Sequence, residues 1–482
     1  MKPKRYDVAI VGSGFSGIVA ANTLADHNLN VVLLDENIHI GGQILRTIPE
    51  QLGTHTVSES DKVRKTGFRF IENIKQKKIT VMNQTVVLAI YPERELLVEE
   101  NEKSVFTIRP EVILFATGAR ERFLPFKGWT LPGVISTGAV QVLMKSSGIL
   151  FSKKILIGGS GLFLFAVAHD FVKNGGSVVA VLEQTSMIAK LALLTQVSHQ
   201  FSKLTEGARY ISKLVFSGVP IRHRTKIIEA RGDQYVQEVL TAKVDQKGAV
   251  RKGSERIYQT SALAIGYGFT PNIELPQLAG CELEYEEGKG GWVVKVTDAL
   301  ETSVQNVYAA GEITGIAGAL KSLNEGVLAA LSILKKLEKI EEREFLPQFQ
   351  RITTQRRHHL SFGNYFNALY RIPDEAISLI PDETVICRCE DVTMGNIKNA
   401  LSDGFQTPGA IKRATRIGMG RCQGRICGSV LYDIVAAYTK KPGSRIPLLS
   451  VRPPVKPVSL GSLVAGHEEC EANTGATLHG GG

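Results

Sequence analysis

The sequence contains no unbroken apolar run long enough to cross a membrane. Its most apolar stretch, Ile155 to Ala168, is interrupted by Gly158, Gly159, Ser160 and Gly161. No cleavable signal is read at the start, because Met1-Lys2-Pro3-Lys4-Arg5 leads straight into a strand pattern. The six cysteines show no regular disulfide framework, and four of them crowd between Cys387 and Cys427. That usage favours a reducing compartment, the cytoplasm, with the thiols serving a metal. A nucleic-acid surface is lacking as well. Lysine and arginine total 57 against 47 acidic residues, a net +10, but they are scattered. The densest cluster, Arg351 to His359 (RITTQRRHH), has no interleaved aromatics. It reads as a solvated face or a surface for an acidic protein partner. Hydrophobic content of 43% and charged content of 22% are those of an ordinary soluble globular protein. A length of 482 residues allows roughly two to four domains.

What is present begins at Tyr6. Val8 to Val11 form a short apolar run, followed at once by Gly12-Ser13-Gly14-Phe15-Ser16-Gly17 and a helical pattern from Ile18 to about Asp26. A second apolar run, Val31 to Leu34, ends in Asp35-Glu36. Gly12 allows the tight turn out of the strand, Gly14 lets backbone approach a pyrophosphate, and Gly17 lets helix and strand pack closely. The helix start offers N–H groups and a positive dipole end to that phosphate. Asp35 stands about 20 residues beyond the turn, where a carboxylate binds ribose hydroxyls. All the parts of a dinucleotide-binding βαβ unit are therefore in place.

Further along, His39-Ile40-Gly41-Gly42-Gln43 is either a loop passing close to a flat ligand or a plain surface turn. Lys78 to Ala89 reads as a strand pair with Val86 on the second strand. Glu111 to Gly118 is a strand ending in Ala116-Thr117-Gly118, small enough for backbone to pass beneath a cofactor. Arg120-Glu121-Arg122 and Trp129 to Gly133 mark a crossing. A second strand–glycine–helix unit starts at Lys154, but Leu164 replaces its third glycine. Glu183 holds the ribose-acid position, and no arginine follows to bind a ribose phosphate. The bulky leucine should push helix from strand, which weakens a nicotinamide-nucleotide site. Ser186 to Lys213 is helical in pattern, Ile221 to Gly268 reads as strands, and Gly266 to Asn272 crosses back. Asn306 to Gly311 is a strand followed by Glu312, and a helix then runs through Glu325-Gly326 to about Leu337. Glu338 to Asp382 reads as a connecting arm of mixed helical pieces without a motif.

Cys387-Arg388-Cys389 and the later Cys422 and Cys427 flank short helices that Thr393 and Thr407-Pro408 can start. Two cysteine pairs on such loops can converge four thiolates on one centre. Four soft sulfurs suit zinc or the irons of a [2Fe–2S] cluster. The single-residue gap between Cys387 and Cys389 is less usual for structural zinc, so iron–sulfur is favoured. Disulfides and inert thiols are the remaining readings. Cys281 and Cys470 stand alone, as a core thiol and a tail thiol.

In combination, VGSGFSG, DENIHIGGQI, ATGARERFLPFKGWTLPGV, GYGFTPN, AAGEITGIAGA, CRCEDVT…KRATRIGMGRCQGRIC and the tail RPPVKPVSLGSL resemble the alpha (A) subunits of heteromeric amino-acid and opine dehydrogenases. These include the A subunit of opine oxidase, the B subunit of hydrogen cyanide synthase and the alpha subunit of dye-linked proline or hydroxyproline dehydrogenase. The resemblance implies an α/β, two-dinucleotide-binding-domain (Rossmann-like) flavoprotein with a small C-terminal helical [2Fe–2S] domain like bacterioferritin-associated ferredoxin. It implies FAD held by Gly12, Ser13, Gly14, Phe15, Ser16, Gly17, Asp35, Glu36, Gly41, Gly42, Gln43, Val86, Ala116, Thr117, Gly118, Gly311 and Glu312. The cluster ligands would be Cys387, Cys389, Cys422 and Cys427. Expected domains are 1–150 and 273–340 as two parts of the FAD domain, with 151–272 as a degenerate dinucleotide-binding domain. The arm would span 341–382, the cysteine domain 383–440 and an extended tail 441–482. A beta subunit with its own FAD would oxidise the amine, and several relatives carry FMN at the alpha–beta interface. Such a hetero-oligomer is compatible with a small ferredoxin-like subunit, and with peripheral membrane association through partners. Two departures stand out: Glu312 occupies a usual aspartate position, and the gap before Cys427 exceeds that of the small ferredoxin.

Three functions compete at this level. An electron-transfer subunit needs no general base of its own, and none is assigned. A self-contained NAD(P)H-dependent flavin/iron–sulfur reductase needs a working nicotinamide site, against which Leu164 argues. A disulfide reductase would need a redox cysteine pair near the flavin, and none precedes Cys281. The third reading is a cofactor-loaded scaffold or redox sensor. The tail's RPPVKP sequence suggests packing against a neighbour.

Overall fold

The structure is a computed structural model, and it describes residues 4–46, 62–185, 201–245 and 247–466. Among these residues two sheets dominate, the first mixed and the second parallel. The first is organised by β1 (Lys4–Val11), α1 (Phe15–Ala25) and β2 (Val31–Leu34), whose inner residues Val8 to Ile10 and Val31 to Leu33 are fully buried. A strand buried on both faces reads as a continuous apolar run, which is why these segments lack alternation. Then come β3 (Ile79–Met82), β4 (Thr85–Tyr91), β5 (Glu95–Glu100) and β6 (Ser104–Phe115). The sheet order is β3-β2-β1-β6-β5-β4, and strand Val307–Ala309 also pairs in parallel with β6.

β6 serves two neighbours along its length. Its first half pairs antiparallel with β5, and its last residues, Ile113 to Phe115, pair with Val307–Ala309. The expected strand pair over Lys78 to Ala89 is corrected here. β3 joins β2 in parallel while β4 joins β5 antiparallel, so the two lie at opposite ends of the strand order. Asn83 and Gln84 do not turn β4 back onto β3, because each strand finds a better apolar partner in the sheet.

The second sheet runs Ile221–His223, Ser177–Glu183, Lys154–Gly159, Leu263–Gly266 and Val134–Ser136, all parallel. Two short antiparallel strands, Ala119–Glu121 and Phe269–Pro271, tie the sheets together as the crossing segments. The helical region expected at Ser186 to Lys213 is described only from Phe201, in helix Phe201–Phe216, and its first part lies outside the described residues.

The arm is not a set of mixed helical pieces. It is one helix, Glu342–Leu369, 28 residues long, followed by the short helix Asp374–Ser378. After it, helices Met394–Ser402, Pro408–Thr415 and Gly428–Thr439 share one continuous apolar core with the second sheet, through Trp129, Ile386, Ile397 and Ile434. The tail touches its own chain at Val455, whose N–H donates to the Leu88 carbonyl at 2.9 Å. No described helix is long and apolar enough to cross a membrane.

Candidate functional site

The glycine turn is tight enough to exclude side chains at two of its positions. Gly12 has φ +106°, and a Cβ there would stand 2.3 Å from the Ala116 carbonyl oxygen. A Cβ on Gly17 would stand 1.9 Å from the Gly12 oxygen. Gly14, which opens α1, has nothing within 4 Å of its missing Cβ, so space lies open at the helix start. That opening, beside the first-turn N–H groups of the helix, fits a pyrophosphate. Ser13 and Ser16 are buried beside it, and Phe15 turns into the core.

Asp35 closes the unit. Its Oδ2 accepts from the Ser13 N–H at 2.7 Å and from the Ser13 hydroxyl, and its Oδ1 accepts from the Asn37 N–H and side-chain amide, each at 2.8 Å. The carboxylate thereby links β2 to the glycine turn. Glu36 is half exposed and pairs with Lys456. The His39–Gln43 loop packs against the glycine turn. The Gly41 N–H donates to the Ser13 carbonyl at 2.9 Å, and a Cβ on Gly42 would stand 2.8 Å from Gly14 Cα. Gln43 is exposed beyond it. Val86 is half-buried next to this end, because the Thr85 N–H donates to the Asp35 carbonyl at 2.8 Å.

On the other side of the turn, Ala116 abuts Gly12, while Thr117 and Gly118 are pinned by Asn272. The Thr117 hydroxyl donates to the Asn272 carbonyl at 2.7 Å, and the Asn272 amide donates back to the Thr117 carbonyl at 2.9 Å. Gly311, with φ +87°, faces Ser16, whose Oγ would be 2.5 Å from an added Cβ. Glu312 is not free to extend along a ligand with both oxygens. Its Oε1 accepts from the Gly318 N–H at 2.8 Å, just ahead of helix Ala319–Lys336. Burial holds this carboxyl above its usual range, against the pull of Lys321.

Beneath the Gly311–Glu312 turn lies a buried ion network that sequence reading missed. Lys321 donates to the Gly311 carbonyl at 2.7 Å and pairs with Glu325 at 2.8 Å, both side chains being fully buried. Glu325 also accepts from the Gly311 N–H at 2.8 Å and from Arg356 Nε at 2.8 Å. Arg356 belongs to the RITTQRRHH cluster, so that cluster is not simply a solvated face. The signal available was the spacing of Lys321, Glu325 and Leu328, which puts the two charges on the same helix face as a core leucine.

The second unit keeps its strand turn but not its helix start. A Cβ on Gly159 would stand 1.8 Å from the Gly266 carbonyl, so that close approach survives. Leu164, fully buried, moves the helix start along the chain to Phe163. The first bonds there are three-residue ones, Leu164 N–H to Gly161 O and Phe165 N–H to Leu162 O, whereas α1 begins with Ile18 N–H to Gly14 O. Glu183 is fully buried, accepting from the Thr185 N–H at 3.0 Å. Burial, then the Glu183 charge, pushes the Tyr267 and Tyr370 hydroxyls up. Tyr370 ends the arm helix, so the arm reaches the ribose-acid position of this unit.

The four cysteines lie near enough to influence one another: Cys389 feels Cys422 and Cys387, and Cys427 feels Cys387 and Cys422. Burial, then the neighbouring sulfurs, pushes the Cys427 thiol well above its ordinary range. Cys387 and Cys427 are buried, Cys422 is intermediate and Cys389 is exposed. A Cβ on Gly420 would stand 2.2 Å from Cys389 Cβ, so only glycine lets the two loops close. Thr393 caps its helix through a reciprocal pair with Asn396, and Thr407 accepts from the Ala410 N–H at 3.2 Å. Arg425 donates to the Cys422 carbonyl at 3.2 Å. Trp129 Nε1 donates to the Val385 carbonyl at 2.6 Å, and Arg388 lies 5.2 Å from the Trp129 ring centre. The crossing strands reach this region through the half-buried Arg122–Asp433 pair. Among the described residues no group of three or more His, Cys, Asp or Glu is gathered to hold a single metal ion. Cys281 is a buried thiol near the Thr302 hydroxyl, and Cys470 lies outside the described residues.

The family model described as pyridine nucleotide-disulphide oxidoreductase matches residues 6–330, and the sarcosine oxidase A3 domain model matches residues 382–467. The A subunit of opine oxidase from Rhizobium meliloti is 29% identical over 470 residues, covering 95% of this chain and 98% of that one. Hydrogen cyanide synthase subunit HcnB of Pseudomonas aeruginosa is 31% identical over 429 residues, covering 87% and 90%. The crystal structure of L-proline dehydrogenase from P. horikoshii superposes with a TM-score of 0.70 at 20% identity. It covers 96% of this chain and 80% of its own, a likeness of fold.

Proposed function

The chain belongs to the pyridine nucleotide-disulphide oxidoreductase family, in the group containing the A subunit of opine oxidase and HcnB, and from that footing we propose that it is the electron-transfer alpha subunit of a heteromeric, flavin-dependent amino-acid, imino-acid or opine dehydrogenase. The oxidation of the C–N bond belongs to an FAD-containing catalytic beta subunit. Bound flavin takes electrons in pairs and gives them up singly, and a bound [2Fe–2S] cluster passes them singly. Gly12, Gly14 and Gly17 would cradle the FAD pyrophosphate, Asp35 its ribose, and Gly311 its flavin end. Cys387, Cys389, Cys422 and Cys427 would hold the cluster.

The observation that supports this reading is the close approach of the loops that carry Cys389 and Cys422, where a Cβ on Gly420 would stand 2.2 Å from Cys389 Cβ. The single-residue gap between Cys387 and Cys389 is less usual for structural zinc, and four sulfurs suit the two irons of a [2Fe–2S] cluster. The Arg122–Asp433 pair joins a crossing strand to the cysteine region, and the two share one apolar core. An NAD(P)H reductase finds less support. The shifted helix start at Leu164 and the burial of Glu183 beside the arm leave the second unit poorly suited to a nucleotide.

Co-expression with an adjacent flavoprotein gene, followed by visible spectroscopy and iron assay, tests the reading. Flavin plus iron, with bleaching by an amino acid only when the partner is present, is the expected result. Flavin without iron removes the cluster, and bleaching by NADH moves the assignment to a reductase.

A further inference from the structure

Asp35 and Glu36 are two neighbouring carboxylates at the end of β2, beside the open helix start where a nucleotide's diphosphate would lie. Asp35 is buried and positioned by Ser13 and Asn37. Glu36 has no such protection, and left alone it would repel both Asp35 and a diphosphate. Its partner comes from the far end of the chain: the Lys456 ammonium pairs with Glu36 and is close enough to feel the Asp35 charge. Arg46 adds a second cation from the other side, donating to Asn37 Oδ1 at 2.9 Å.

The position of Lys456 is built, not incidental. Its neighbour Val455 is buried and bonded on both sides. The Val455 N–H donates to Leu88 O at 2.9 Å, and Arg425 Nη2 donates to the Val455 carbonyl at 2.6 Å. Arg425 is itself tied to the Cys422 carbonyl, so the cysteine loop and β4 together set where the lysine stands.

We propose that Lys456 is a nucleotide-binding residue of the first dinucleotide unit, supplied by the tail to neutralise Glu36 so that Asp35 alone faces the ribose of a dianionic dinucleotide such as FAD. The inference rests on the flavin reading above. It predicts that affinity depends on the charge balance between Lys456 and Glu36 rather than on tail packing alone.

The test uses the full chain stripped of flavin and titrated with FAD, following flavin fluorescence. Lys456→Met should weaken FAD binding about tenfold, the loss of one charge-assisted contact. Lys456→Arg should retain wild-type affinity. The double variant Lys456→Met/Glu36→Gln should recover most of the loss, because the uncompensated carboxylate is gone. Wild-type affinity in Lys456→Met would overturn the inference, as would a double variant no better than the single one, which would mark the lysine as a packing element. A wild-type chain that binds no FAD would overturn the flavin reading and this inference together, and is told apart because the wild type itself fails.

Discussion

The Lys321 ammonium lies 2.8 Å from the Glu325 carboxylate, one helical turn along, with neither side chain exposed. Glu325 is the hub of this arrangement, since Gly311, Thr314, Lys321 and Arg356 all donate to it. It therefore fixes the Gly311–Thr314 turn and clamps the arm helix to the same point. Removing Glu325 leaves two buried cations without their partner, which costs about 3–5 kcal/mol. Glu325→Leu is therefore expected to lower the urea midpoint sharply, whereas Lys321→Met and Arg356→Met each leave one cation paired with Glu325 and should cost less. Chemical denaturation of the three variants checks this.

The same hub sets an acid limit. Burial alone would raise the Glu325 carboxyl, but the Lys321 and Arg356 charges and its hydrogen bonds outweigh it and hold the group below its ordinary value. Its folded pKa is depressed, so the unfolded chain binds the proton more readily. Its stabilising contribution is complete above the normal carboxylate range of about 4 and falls away as pH drops through the lower folded value. Thermal midpoints measured from about pH 6 down to about pH 3 should fall for the wild type. Glu325→Gln should start lower at neutral pH and fall less, so the two curves approach in acid.

Gly420 offers a test of the cysteine centre that leaves every thiol in place. A Cβ at this position collides with Cys389 Cβ, and neither atom can yield without moving a loop. Gly420→Ala should therefore lose most of its iron while keeping its flavin. Iron assay and the visible spectrum of the purified complex read the two separately. Full iron in this variant would detach Cys389 from the cluster.

Local chemistry is the part most readable from the sequence. The Gly12–Gly17 turn, the Thr393 cap and the Thr407-Pro408 helix start are decided by residues a few positions apart, and all three are found as expected. Contacts between distant segments are not readable in that way. Arg356 sits in a run of charges that looks solvated, and only the fold brings it against Glu325. Glu312 resembles a ligand-reaching carboxylate because its strand-end position is visible in sequence, while its bond to the Gly318 N–H depends on the path of the next loop. The β3–β4 pairing misleads for a related reason. Neighbouring apolar strands suggest a hairpin, but pairing partners are chosen across the whole sheet.

Leu164 separates the two electron-entry routes most directly. Replacing it with glycine restores the third glycine of the second turn, yet it also removes a fully buried side chain packed near Gly266. A cavity of that kind costs about 2–5 kcal/mol. Glu183 is fully buried, and the end of the arm lies near enough for Tyr370 to feel its charge, so the ribose-acid position stays enclosed even with the helix start repaired. Leu164→Gly should therefore be less stable and still show no bleaching of flavin absorbance by NADH under anaerobic conditions. Rapid bleaching in the variant but not in the wild type would mean that the leucine alone closes the nicotinamide site, and that the arm plays no part in excluding it.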